Sequence, residues 1–176
     1  MLRIASLIQA AVVLTISPAL LRAGDDSPLP RGTKELAVSG TIYVTHDSPE
    51  DLFGVVTVRG GYYVGRNQEA GIDATVFAYS RIQDTYLSGF YRYVFARAEH
   101  HLAPFAGASI GANVSHFNYV GAQHSLIVRS ELGVRYLITT KCSFDLSYNL
   151  MYRRNAEVGF TGATTSILTF GFARTF

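Results

Sequence analysis

The sequence predicts an all-β chain, an eight-stranded antiparallel up-and-down transmembrane β-barrel behind an N-terminal signal peptide. Three observations carry this. From residue 35 onward, apolar and polar residues alternate with a period of two, where an amphipathic helix would repeat every 3.6 residues. The alternation also sorts charge, with one face nearly all Leu, Val, Ile, Ala, Phe and Tyr and the other carrying arginines and carboxylates. Finally, eight segments share the 153 residues that follow the first 23. That is about 19 residues per strand and connection, enough for the 9–11 residues a tilted membrane strand needs.

Residues 1–23 hold a basic start at Arg3, an apolar run from Ile4 to Ile16, a breaker at Pro18 and a small residue at Ala23. These are the parts of a secretory signal peptide. Residues 24–33, with Pro28 and Pro30, are expected to form a flexible lead-in, and 34–176 the barrel.

The elements follow in order. In the first, Leu36, Val38, Ile42 and Val44 share one face and Ala37, Ser39, Thr41 and Tyr43 the other. In segments 53–64 and 71–81, Val56, Val58 and Tyr62 oppose Thr57 and Arg59, and Ile72, Ala74 and Val76 oppose Asp73 and Thr75. In 86–97 and 104–115, Leu87, Tyr91, Tyr93 and Phe95 oppose Ser88 and Arg92, and Ala108, Ile110 and Val114 oppose Ser109 and Asn113. The pattern is sharpest over 125–138, where Leu126, Val128, Leu132, Val134, Tyr136 and Ile138 alternate with Arg129, Glu131, Gly133 and Arg135. The stretch 143–153 sets Phe144, Leu146, Tyr148, Leu150 and Tyr152 against Asp145, Ser147, Asn149 and Arg153. At the end, Leu168, Phe170, Phe172 and Phe176 alternate with Thr169, Gly171, Ala173 and Thr175. Turn signals separate these runs at 46–51, 65–68, 83–85 (Gln83-Asp84-Thr85), 99–101, 118–122, 139–141 and 154–162.

Which face is wet decides between a soluble and a membrane barrel. The polar face carries Arg59, Asp73, Arg92, Arg129, Glu131, Arg135, Asp145 and Arg153, and only two lysines, Lys34 and Lys141, follow the leader. Arginine suits enclosed pairing with carboxylates, so these eight residues are expected to line a lumen while the apolar face meets lipid. The 139–141 turn brings Arg135 opposite or diagonal to Asp145. Tyr93, Phe95, Tyr136, Phe144, Phe172 and Phe176 fall near strand ends that would share one bilayer edge, as an aromatic girdle does. Arg97 and Arg174 interrupt the apolar face near strand ends, where long side chains snorkel.

Composition excludes other classes. With 48% hydrophobic and 16% charged residues the chain is neither a disordered tail nor a coiled coil. Beyond residue 23 it holds 13 basic and 13 acidic side chains, which leaves no excess of positive charge for nucleic acid. Cys142 is the single cysteine and cannot form an internal disulfide.

Three stretches resemble the small outer-membrane β-barrel proteins of Gram-negative bacteria, of the opacity or porin-like type. Leu102-Ala-Pro-Phe-Ala-Gly-Ala-Ser-Ile-Gly111 is similar to the family's L-x-P-[YF]-x-G-x-G-x-G strand, with Ser109 in place of the middle glycine. Gly133-Val-Arg-Tyr-Leu-Ile with Asp145-Leu-Ser-Tyr148 resembles its G-x-[RK]-[YF] … D-x-x-Y hairpin. Leu168 to Phe176 is similar to the terminal-aromatic signal read by the barrel assembly machinery, carried here by Phe172 and Phe176. Arg174 departs from that signal, where the family favours an aromatic or aliphatic residue. The resemblance covers roughly residues 34–176. It implies a monomer in the outer membrane, in contact with membrane lipid and lipopolysaccharide.

Sites for chemistry are weak. Gly107-Ala-Ser-Ile-Gly111 matches a nucleophile-elbow pattern but lacks the strand–turn–helix context. The five histidines show no metal-ligand spacing. The resemblance admits lipid A-modifying enzymes, for which His116, His124, Ser125 and Glu131 are the only nearby residues. His116-Phe-Asn-Tyr, however, lacks the H-x-S-N arrangement of the deacylases. The expected function is therefore a non-enzymatic barrel with a side-chain-filled lumen and a structural or surface-interaction role, without cofactor or metal. The alternatives are an adhesin, which connections of about six to ten residues would limit, and a lipid A-modifying enzyme.

Overall fold

The computed structural model describes residues 29–44, 52–78, 82–97, 100–117, 121–155 and 163–176. Eight strands follow one another: β1 (Lys34–Val44), β2 (Leu52–Gly65), β3 (Gln68–Ala78), β4 (Ile82–Val94), β5 (Leu102–Phe117), β6 (Gly121–Leu137), β7 (Cys142–Asn155) and β8 (Ala163–Thr175). Each pairs antiparallel with its sequence neighbours, and β1 pairs with β8 from Glu35↔Thr175 to Gly40↔Phe170, closing the barrel. Closure gives every strand a partner on both sides, the arrangement by which a sheet crosses a bilayer.

The two faces are inverted relative to a soluble protein. Leu36, Val58, Ile72, Leu87, Ile110, Leu132, Leu168 and Phe170 are exposed on the outside, with Ile72 65% and Leu87 62% accessible. Arg92, Arg135, Glu69 and Asp73 are at most 1% exposed inside. Water would make that exterior costly at roughly 25 cal/mol per Å2, whereas lipid removes the cost. Among the described side chains the expected sorting of faces holds in each strand, except that Tyr93, expected outside on β4, is buried.

Several boundaries differ from the sequence expectation. Gln83-Asp84-Thr85 is not a turn: it lies in β4, paired with Ala78, Phe77 and Val76. The preceding connection needs only residues 79–81, so polar residues that look like turn signals sit in the strand's end. Strands β5 and β6 reach 16 and 17 residues. The connections away from the termini accordingly span three or seven residues, fewer than strand spacing suggests. The β2–β3 connection is the tight pair Arg66-Asn67, with Asn67 at φ 60°, a conformation its short polar side chain tolerates.

Within the 24–33 segment expected as a flexible lead-in, Leu29 to Thr33 lie among the described residues and are docked. Gly32 N–H donates to the Tyr63 carbonyl (2.9 Å), Tyr63 N–H to that of Thr33 (2.8 Å) and Asn67 N–H to that of Leu29 (3.2 Å). Leu29, 2% exposed, packs with Tyr63, Val94, Ala96, Ala103 and Phe105 across the lumen at the termini end. Burial of one leucine and three backbone hydrogen bonds outweigh the proline-rich composition here.

Candidate functional site: the charged lumen

The inward positions of β1, β2, β3, β4, β6 and β7 converge on one ion-pair network. Arg135 lies opposite Asp145 in the register and grips it in a two-pronged fork, with Nε to Oδ1 and Nη2 to Oδ2 both at 2.7 Å. The same guanidinium reaches Glu35 through Nη1 to Oε2 and Nη2 to Oε1, again at 2.7 Å each. Tyr63 seats the corner: its hydroxyl accepts from Arg135 Nη1 at 2.9 Å and donates to Glu35 Oε2 at 3.0 Å. Arg92 lies opposite Glu69 and donates to it through Nε (2.9 Å) and Nη2 (2.6 Å). It also reaches Glu35 Oε1 (2.7 Å) and Asp145 Oδ2 (3.1 Å). Two arginines thus hold three carboxylates at the termini end, and only the planar five-donor fork of arginine satisfies so many acceptors at once.

A second tier sits beyond it. Arg59 donates to Glu131 Oε2 at 3.0 Å and approaches Asp73, its register partner, at 3.8 Å, and Arg129 donates to Asp73. Aromatic rings floor both tiers. The Arg59 guanidinium lies 4.6 Å from the Phe90 ring centroid and that of Arg92 4.9 Å from the Phe105 ring. Each ring occupies space left by a glycine directly across the sheet, Gly71 for Phe90 and Gly133 for Phe105. A Cβ on Gly133 would come within 2.4 Å of the Phe105 ring, and one on Gly71 within 2.9 Å of Phe90.

Above the second tier the lumen becomes neutral. Thr57 and Thr75 share a 2.9 Å hydroxyl hydrogen bond, and Asn149, Ser147 and Thr169 form a second cluster at 2.8–3.1 Å. Val55, Phe77, Tyr86, Ile127, Met151 and Ile167 then form an apolar layer. A small void lies between this layer and Arg59, Arg129 and Glu131.

Of the eight residues expected in the lumen, seven meet in the two tiers. Arg153 does not: it is half-buried nearer the other end and donates through Nε to Ser125 Oγ at 3.2 Å. Glu35, Glu69 and Tyr63 belong to the network and were not singled out from the sequence. Their parity places all three inward, and charge balance is the signal for the two glutamates. The eight expected residues are five arginines and three carboxylates, and an enclosed lumen requires two more acids.

Phe172 and Phe176 lie outside, 63% and 66% exposed. Tyr136, Phe144 and Phe172 stand opposite one another on successive strands, and the Phe144 and Phe172 rings meet edge to face at 5.3 Å. Tyr93 differs from the rest of the expected girdle: it is 6% exposed, with its ring 4.7 Å from that of Phe95.

The enzyme candidates do not assemble among the described residues. Ser125 is buried in the lumen beside Arg153, and Glu131, six residues along the same strand face and about 20 Å away at the usual rise, is held by Arg59. The side chains of His116 and His124 lie outside the described residues. Ser109 Oγ is buried with no hydrogen-bond partner among the described residues, so nothing there activates it as a nucleophile. No group of three metal-binding side chains occurs among the described residues.

The exterior and the closed ladder define the class by fold: this is a closed eight-stranded antiparallel β-barrel with the apolar outside of a membrane-spanning barrel. Comparison with solved structures agrees on the fold. The N-terminal β-barrel domain of Pseudomonas aeruginosa OprF aligns over 84% of this chain and 98% of its own at 14% identity, with a TM-score of 0.63. Neisserial surface protein A aligns over 82% and 96% at 17% identity, also with a TM-score of 0.63. The outer membrane enzyme PagL aligns over 80% and 98% at 13% identity, with a TM-score of 0.52. No protein-family model and no curated protein matches the chain by sequence.

Proposed function

We propose that this chain is a non-enzymatic outer-membrane barrel with a packed lumen, acting in envelope structure or surface interaction. In this reading residues 1–23 are removed on export. The barrel assembly machinery engages the terminal strand through Phe172 and Phe176, and the mature chain stands as a monomer among outer-membrane lipid and lipopolysaccharide. The observation that supports the reading is the lumen network: every carboxylate in its two tiers accepts from an arginine, so the described carboxylates fill the lumen as ion-pair partners. Two measurements test it. Reconstituted in a planar bilayer, the protein is expected to give no steady unit conductance. Overproduced in a lipopolysaccharide-bearing host, it is expected to leave the lipid A mass spectrum unchanged. A reproducible conductance step would overturn the packed lumen, and loss or gain of an acyl chain would overturn the non-enzymatic reading.

A further inference from the structure

The lumen neutralises itself, so among the described residues no side-chain carboxylate stands beside three of the exterior cations. Every carboxylate whose side chain is described, Glu35, Glu69, Asp73, Glu131 and Asp145, is turned inward and engaged by arginine. At the termini end the exterior instead presents Lys34, Lys141 and Arg174, all exposed, with no ion pair to any of them among the described residues. The three are neighbours by register. Arg174 stands opposite Leu36 on one side and Cys142 on the other, one step past Lys141. Lys34 and Phe176 exchange backbone hydrogen bonds at 2.9 and 3.3 Å, and Thr175 N–H donates to the Lys141 carbonyl at 2.9 Å. They also sit at a defined depth. Arg174 lies outside between the exposed rings of Phe172 and Phe176, its guanidinium 5.3 Å from the Phe176 centroid, and the Tyr136–Phe144–Phe172 row ends on the same strand. Aromatic rows of this kind lie at headgroup level, and a guanidinium beside them meets the phosphate layer.

We propose that Lys34, Lys141 and Arg174 form a binding site for the phosphate of an anionic glycerophospholipid in the periplasmic leaflet, with Phe172 and Phe176 against its acyl chains. The inference rests on the membrane-barrel reading. An even-stranded barrel inserted from the periplasm keeps both termini there, which orients this end. It also gives a reason for the one departure of the last strand from the family's terminal signal: the arginine that breaks the apolar face is the central cation of the patch.

The test is native mass spectrometry of the full mature barrel released from micelles containing equal phosphatidylglycerol and phosphatidylcholine, beside gel mobility of boiled and unboiled samples. The wild type is expected to retain phosphatidylglycerol about fivefold or more over phosphatidylcholine. The K34Q/K141Q/R174Q variant is expected to lose that preference while keeping its heat-dependent mobility. R154Q, which removes an exposed cation at the opposite end, is expected to keep the preference. Equal retention of the two lipids by the wild type would overturn the site, as would a preference that survives the triple change or disappears equally in R154Q. A wild-type chain whose mobility does not change on boiling would overturn the barrel reading itself and the site with it.

Discussion

The two ends of the lumen are built on the same alternation and filled by opposite means. At the termini end Glu35, Glu69, Arg92, Arg135 and Asp145 are locked by short, mostly two-pronged hydrogen bonds and covered by Leu29. At the other end Thr57, Thr75, Met151, Ile127 and Ile167 border a small void. The charged half depends on the register, because a one-residue slip of β7 against β6 would turn Asp145 to lipid and cost Arg135 and Arg92 a shared carboxylate. The neutral half tolerates imperfect packing, since no member's loss strands a charge. The contrast teaches that the ion pairs specify the pairing of strands more than they add stability, as a buried salt bridge often does little better than an apolar replacement of both partners.

The sharpest way to break this contrast is Arg135→Met. It leaves Glu35 and Asp145 facing each other with one guanidinium, that of Arg92, between them, and is expected to cost about 3–5 kcal/mol. Denaturant titration of the detergent-folded barrel, read by gel mobility, measures it, and Arg135→Lys is expected to recover only part because a single ammonium cannot fork to two carboxylates. If instead the variant unfolded at the wild-type midpoint, the network would be an ornament of a barrel held by its ladder alone.

Next in size is Gly133→Ala. The added methyl would meet the Phe105 ring at 2.4 Å and the Leu146 carbonyl at 2.5 Å, so the ring must leave its place under Arg92. A loss of about 1–3 kcal/mol is expected, and pairing it with Phe105→Leu in a double-mutant cycle is expected to restore part of the loss. Additive losses would show that the glycine serves the backbone and not the ring. Met151→Ala, in the neutral half, is expected to cost about 2 kcal/mol at most, because the site already borders a void. A loss matching that of Arg135→Met would erase the difference between the halves.

Much of this was legible in the sequence. The period-two runs identify the faces of all eight strands, since a lipid belt and a charged lumen impose the same strict alternation on every one. Arg135 and Asp145 could be paired because a short polar stretch, Thr139 to Lys141, fixes how β6 meets β7. Glu35 and Glu69 are not legible as lumen residues because each is the second residue of its strand, where parity looks like loop polarity. The boundary at β4 was misplaced for the converse reason: Gln83 to Thr85 are turn formers by type, yet pairing with β3 outweighs that preference. Leu29 carried no signal, since a lone leucine between prolines gains its meaning only from the apolar mouth that tertiary closure creates.

The finest test lies at the boundary between the halves. Thr57 and Thr75 face each other across β2 and β3 with a 2.9 Å hydroxyl contact, two residues from the Arg59–Asp73 pair on the same face. Thr57→Val removes one partner of that bond while keeping shape and β preference, so about 1 kcal/mol is expected. The double change Thr57→Val/Thr75→Val removes both polar groups and is expected to regain most of the loss. If the double variant lost more than the single one in the same titration, the hydroxyls would be supporting the charged tier beneath them. The line between the halves would then lie higher in the barrel than the ion pairs alone suggest.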